Sequence, residues 1–130
     1  MKLTGIKETC LYVKDLQATE EFYTGKLGLE CIGKREHTFV FFRVGTDLLL
    51  CFNAEESKRQ TALPSHYGSG ELHFAFECDA DQYENWKKHL TEQGIQILQE
   101  VTWPSGTRSF YFRDPDRNVV EIEEPGLWGF

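Results

Sequence analysis

At 130 residues the chain has the length of a single domain, with enough material to bury a core without disulfide or metal staples. A composition of 40% hydrophobic, 14% aromatic and 27% charged residues excludes a disordered chain, and a formal net charge of -7 with no run of five Lys or Arg argues against nucleic acid. The longest apolar run, Leu48 to Phe52, falls far short of the roughly 20 residues that cross a bilayer, so no membrane partner is expected. Lys7 and Glu8 interrupt the N-terminus before any secretory apolar segment develops, and Cys10, Cys31, Cys51 and Cys78 form no CxxC pair. The sequence therefore reads as cytoplasmic, with reduced and mostly buried cysteines.

In chain order, IKETCLYV (residues 6 to 13) has the β-branched and aromatic character of a strand, and Asp15 stands where a helix N-cap would. Leu16, Thr19, Phe22, Tyr23 and Leu27 recur at three and four, which predicts one helix running to Gly28. TFVFFRV (38 to 44) and DLLLCF (47 to 52) read as an antiparallel hairpin turning at Gly45 and Thr46. NAEESKRQTALPSHYGSG is polar and rich in Ser, Gly and charge, and reads as a linker. After it the pattern restarts. LHFAFEC (72 to 78) is a strand, Asp79 or Asp81 a cap, and Tyr83, Trp86, Leu90 and Gln93 keep helical spacing up to Gly94. IQILQEV (95 to 101), SFYFRD (109 to 114) and NVVEIEE (118 to 124) then predict three strands, with Pro115 and Asp116 in the last turn.

The chain thus divides into module 1 (4–53), a linker (54–70), module 2 (71–124) and a C-terminal tail (125–130), an α+β arrangement of two βαβββ repeats in one domain. Aligning the repeats matches Glu8 to His73, because ETCLYV and HFAFEC place apolar residues three and five positions on. Aligning Phe42-Arg43 with Phe112-Arg113 and counting nine forward matches Cys51 to Glu121.

DLQATEEFYTGKLGL, LHFAFEC and FRDPDRNVVEI resemble the vicinal oxygen chelate superfamily: glyoxalase I, extradiol dioxygenases, methylmalonyl-CoA epimerase, fosfomycin-modifying enzymes and bleomycin-binding resistance proteins. The resemblance covers nearly the whole chain and names a superfamily, not a substrate. It implies two βαβββ modules forming curved mixed sheets around a central cavity, commonly completed across a homodimer, with one divalent metal ion and a small-molecule substrate. It also implies that His73 is the second-module ligand, Glu121 the glutamate after the DPD turn, and Glu8 the first-strand ligand, where the family more often has His. The position of a fourth ligand in glyoxalase I and the epimerase falls on Cys51, which departs from both, and Arg117 replaces the Gly of the turn.

The residue types agree with such a site. Glu121 lies within an apolar strand, where a lone buried carboxylate is costly unless it is paired or holds a cation. One imidazole and two carboxylates suit manganese, iron, nickel or zinc, and leave coordination positions open. This ratio reverses the two-histidine, one-carboxylate set of iron dioxygenases, so lyase, isomerase or addition chemistry is favoured over extradiol cleavage. Cys51 reads either as a soft fourth ligand or as a buried thiol. His66 reads either as a plain loop histidine or as an acid–base group reaching the cavity. Arg108 and Tyr111 read either as substrate-binding groups or, for Arg108, as half of an exposed salt bridge. Trp103, Phe110 and Trp128 wall an apolar pocket or belong to a core or dimer interface, and His37 and His89 receive no role. The alternative function is a metal-free drug- or metabolite-binding protein of the bleomycin-resistance type, for which acidic charge suits a cationic ligand.

Overall fold

The computed structural model describes residues 1–130, and the chain divides into two compact units, Met1–Gly70 and Glu71–Phe130. In the first, β1 (Glu8–Val13) leads into α1 (Leu16–Glu20), followed by β2 (Glu30–Arg35), β3 (Phe39–Val44), β4 (Asp47–Asn53) and α2 (Ala54–Arg59). The sheet order is β1-β4-β3-β2, with β1 parallel to β4 and the other pairs antiparallel. The second unit repeats this plan with β5 (His73–Glu77), α3 (Tyr83–Glu92), β6 (Gln99–Thr102), β7 (Arg108–Arg113) and β8 (Val119–Glu123) in the order β5-β8-β7-β6. The expected α+β class with two βαβββ modules is what the chain forms.

Asp15 caps α1 as expected, its side chain accepting from the Ala18 amide at 3.0 Å. The helix does not continue as one α-helix. Glu21–Lys26 is π-helical, with Leu27 N donating to Phe22 O five residues back. This wider winding returns Leu27 to the face that buries Phe22 and Tyr23. Tyr23 packs on Phe42 with ring centroids 5.5 Å apart, and Leu11, Val13, Val40, Leu49 and Cys51 complete that side. By strand alternation the opposite face carries Glu8, Cys10 and Tyr12, Leu48, Leu50 and Phe52, and Phe39 and Phe41.

Several expectations are corrected. ECIGKR forms β2, an edge strand whose weak alternation and register shift between Cys31 and Gly33 hid it from periodicity. Residues 54–59 of the supposed linker are helical because the Asn53 side chain accepts from the Glu55 and Glu56 amides, and Glu55, Glu56, Lys58 and Arg59 complement the helix dipole. Neither Asp79 nor Asp81 caps α3 with its side chain; a 3-10 turn, Ala80–Gln82, leads into it instead. The strand expected from Ile95 begins at Gln99. Gly94 (φ +77°) ends α3, with Ile95 N donating to Leu90 O and Gly94 N to Thr91 O, so buried Ile95 serves the helix cap. The cysteines are free, yet only Cys51 is buried.

The chain from Pro64 to Gly68 is tied to the first unit's sheet. His66 N donates to Ser57 O, the His66 ring stands edge-on to Phe52 at 4.7 Å, and a Cβ added at Gly68 would meet the Tyr12 ring at 2.4 and 2.6 Å. Gly68→Ala is therefore expected to displace Tyr12 and lower stability by about 1–3 kcal/mol. Urea unfolding measures this, and an unchanged midpoint would show that the segment does not press on the strand.

Candidate metal centre

The site begins with the turn before β8. Asp114 Oδ1 accepts from the amides of Asp116 and Asn118 at 3.0 and 2.9 Å, and Asp114 Oδ2 accepts from Asn118 Nδ2 at 2.9 Å. Buried Asn118 then accepts from Leu72 N at 2.9 Å, and Val119 N donates to Leu72 O at 2.8 Å. Arg117 takes the glycine-like conformation of this turn at φ +65°, held by its Nε donating to Glu71. These bonds set His73 opposite Val119 and Ala75 opposite Glu121, so His73, Glu121 and Tyr111 share one face of the sheet.

His73 Nδ1 lies 2.9 Å from the Val119 carbonyl oxygen, which can only accept. Nδ1 therefore carries the proton, and Nε2 faces Glu121 Oε2 at 3.4 Å. Glu121 is 7% exposed at its side chain, and its Oε1 is buried without a hydrogen-bond partner. A neutral imidazole lone pair and a carboxylate lone pair facing each other repel, unless a cation or a proton lies between them. The backbone carbonyl behind Nδ1 is the partner that commonly fixes a metal-ligating histidine. The donor set thus fits a divalent cation: one oriented nitrogen, one carboxylate oxygen beside it and a second oxygen left unpaired.

Trp103, Pro104, Leu127 and Trp128 wall an open cavity of about 520 Å³ over His73, Tyr111 and Glu121. Burial and the Glu121 carboxylate push the Tyr111 phenol above its ordinary value, partly offset by Ser109. Glu123, two residues beyond Glu121 on the same face, is also buried; desolvation, then Glu121 and Glu77, raise its carboxyl, while a hydrogen bond from Trp128 lowers it. Sequence reading passed over Glu123, although its i, i+2 spacing from Glu121 was the available signal. A larger cleft of about 1100 Å³ in the first unit holds none of the expected ligands. Among its polar lining groups, Asp15 caps α1 and Lys34 pairs with Glu20 at 3.0 Å.

The other expected residues fall elsewhere. Glu8 opens β1 on the exposed side of the first unit's sheet, paired with Leu48. No three His, Cys, Asp or Glu side chains of a single chain gather around one point. The match of Cys51 to Glu121 is corrected: Phe42 faces Leu49 and Phe112 faces Val120, which makes Leu50 the counterpart of Glu121. The turn of the first unit is one residue shorter, so counting from the phenylalanines overshot. Cys51 lies on the helix-facing side and is fully buried, and hydrocarbon occupies the fourth position.

His66 Nδ1 lies 2.9 Å from the Tyr12 hydroxyl and 3.1 Å from Ser57 Oγ. Tyr12 is four residues, roughly 13 Å of strand, beyond Glu8. His66 walls that sheet face at this distance and stands outside direct proton-transfer reach of Glu8. Of the two readings of Arg108, the structure shows the salt bridge. Arg108 shares the helix-facing side with buried Phe110, donates to both Glu84 and Glu124, and lies 4.4 Å over the Tyr83 ring, so its donors are committed within the fold.

The sequence pattern of the Glyoxalase/Bleomycin resistance protein/Dioxygenase superfamily matches residues 5–122. The chain belongs to this superfamily. It is 29% identical over 122 residues to the metallothiol transferase FosB of Bacillus licheniformis, covering 93% of this chain and 75% of that protein. It is 31% identical over 125 residues to the glutathione transferase FosA of Serratia marcescens, covering 96% and 84%. A crystal structure of a lactoylglutathione lyase from Agrobacterium tumefaciens superposes with a TM-score of 0.95 at 39% identity, over the whole of both chains.

The Arg108–Glu124 pair supports the strand that carries Glu121. Hydrogen bonds from the Arg108 guanidinium hold the Glu124 carboxyl below its ordinary value, and its side chain is 14% exposed. A depressed carboxylate stabilises the fold above its unfolded value of about 4.3, and that contribution disappears as pH falls below it toward the folded value. Glu124→Gln is expected to cost about 1 kcal/mol at pH 7 and less at pH 3. Urea denaturation at the two pH values measures the difference, and an equal cost at both would rule out this charge effect.

Proposed function

We propose that this chain is a divalent-metal-dependent enzyme acting on a small oxygenated molecule, with His73, Glu121 and Glu8 as its protein ligands. The observation that carries the reading is the donor pair: His73 Nε2, oriented through Nδ1 by the Val119 carbonyl, stands 3.4 Å from the buried, half-unpaired Glu121 carboxylate. Glu8 is read as the third ligand because it opens β1 as His73 opens β5, at the matching strand position of the repeat, and a homodimer is read as the assembly. One imidazole and two carboxylates suit manganese, iron, nickel or zinc.

When bound, such an ion would act as a Lewis acid on a substrate carbonyl or hydroxyl. His73 is oriented by Val119, Glu121 is held by the β8 register, and the Tyr111 hydroxyl stands beside Glu121 as a donor to a bound oxygen. Leu50 in place of a fourth donor leaves more than one position open for substrate oxygens. Within lyase, isomerase and addition chemistry, addition of a thiol or cleavage of a thiol adduct is the favoured reading. The relatives' names support it: metallothiol transferase, glutathione transferase and lactoylglutathione lyase. A metal-free binding protein is the second reading, favoured by the exposed indole of Trp128 and the paired tryptophan walls.

Protein purified without chelators is expected to hold close to one equivalent of metal. Added metal at 100 times its Kd is expected to stabilise the parent by about 2.7 kcal/mol. His73→Ala and Glu121→Gln are expected to lose that increment while unfolding near the parent's metal-free midpoint, since the carboxylate is already poorly paired without an ion. Metal analysis and thermal unfolding supply the readouts. Less than a tenth of an equivalent of every transition metal, unrestored by soaking, would leave only the metal-free reading.

A further inference from the structure

The cavity over His73 and Glu121 has an uneven chemistry. Its lining joins the His73 imidazole and the buried Glu121 carboxylate to two indoles, Trp103 and the exposed Trp128, and to Pro104 and Leu127. Trp103 is fixed, not merely present: its Nε1 donates to buried Ser109 Oγ at 2.9 Å, and its backbone closes the β6–β7 turn through Gly106 N and Thr107 O. Trp128, on the C-terminal tail, lines the same cavity and remains 74% exposed. A large, exposed indole lining a cavity is apolar surface left available for a ligand.

The charges around the cavity narrow what that ligand carries. No Lys or Arg lines it. The three nearby guanidiniums are all engaged, Arg108 by Glu84 and Glu124 on the far side of the sheet, and Arg113 and Arg117 by Glu71. The buried Glu123 carboxyl lies on the same sheet face as Glu121. A phosphate, phosphonate or carboxylate in the outer part of this cavity would lose its hydration and meet no cation there. A flat, uncharged ring meets apolar indole surface instead.

We propose that the outer cavity receives a neutral aromatic group of the substrate between Trp103 and Trp128, so that the substrate is an aryl-bearing compound whose neighbouring oxygens reach the His73–Glu121 floor. This rests on the metal-centre reading above. It selects against substrates that are anionic at that end.

Three hydroxamates share a two-oxygen chelating head and differ in the tail: acetohydroxamate, benzohydroxamate and phosphonoacetohydroxamate. Their affinities for the zinc-loaded protein, measured by calorimetry and corrected for their affinity for free zinc, test the proposal. Benzohydroxamate is expected to bind at least tenfold more tightly than acetohydroxamate, and phosphonoacetohydroxamate no more tightly than acetohydroxamate. Trp103→Ala and Trp128→Ala are each expected to reduce the phenyl advantage to within threefold, with zinc stoichiometry intact and acetohydroxamate affinity within twofold. Equal affinities for the first two compounds, or tighter binding of the phosphonate, would overturn the proposal while leaving the metal centre standing. Absence of hydroxamate binding to zinc-loaded protein would overturn it too. Failure of zinc itself to bind would bring down the metal reading and this inference together. A Trp128→Ala protein that changes oligomeric state in sedimentation would assign that indole to an interface and likewise overturn its role as a ligand wall.

Discussion

The hydrogen bonds of Asp114 and Asn118 are the constraint on which the candidate site depends. Asp114 closes the turn that starts β8, and Asn118 carries that turn across to the amide preceding β5. Because β side chains alternate, a slip of one residue between β5 and β8 would send either His73 or Glu121 to the helix-facing side. A buried network fully satisfied on both partners makes such a slip costly. The same pairing brings the Val119 carbonyl to His73 Nδ1, so the turn that sets the strand also sets the tautomer.

The two units use one topology for different surfaces. In both, the helix-facing side of the sheet is hydrocarbon: Leu11, Val13, Leu49 and Phe42 in the first, Val120, Ile122, Phe110 and Phe112 in the second. The opposite faces have diverged. Around Leu50 the first unit sets Phe41, Phe39 and Phe52, whereas the position matching Leu50 in the second unit is Glu121, beside Tyr111. Donor chemistry on this face of the second unit is thus concentrated on β5 and β8, whereas in the first unit Glu8 opens β1 at the edge of an aromatic surface.

Charge on the second unit is partitioned in the same way. Its cations are tied to carboxylates on the helix side or at the DPD turn, where they fix strands. Glu121 and Glu123, buried with no Lys or Arg ion pair, lie on the cavity side. A face arranged so suits a cation at its floor and an uncharged group at its walls.

Hydropathy and turn residues were enough to read the repeat, the Asp15 cap, the position of β8 and the resemblance to the superfamily, because these depend on local spacing. They were also enough to single out Glu121, since a carboxylate inside an apolar strand is anomalous in any fold. What they could not read depends on contacts distant in sequence. β2 has too little alternation to show itself, and only its pairing with β3 defines it. The identity of Leu50 as the counterpart of Glu121 required the ladder, because a turn shorter by one residue is invisible to counting. Arg108 looked available until Glu84, 24 residues earlier, and Glu124, 16 later, were seen to hold it. The sequence alone determined which residues carry unusual chemistry; the tertiary structure decided which of them share a face, because strand register and charge pairing arise between segments and not within them.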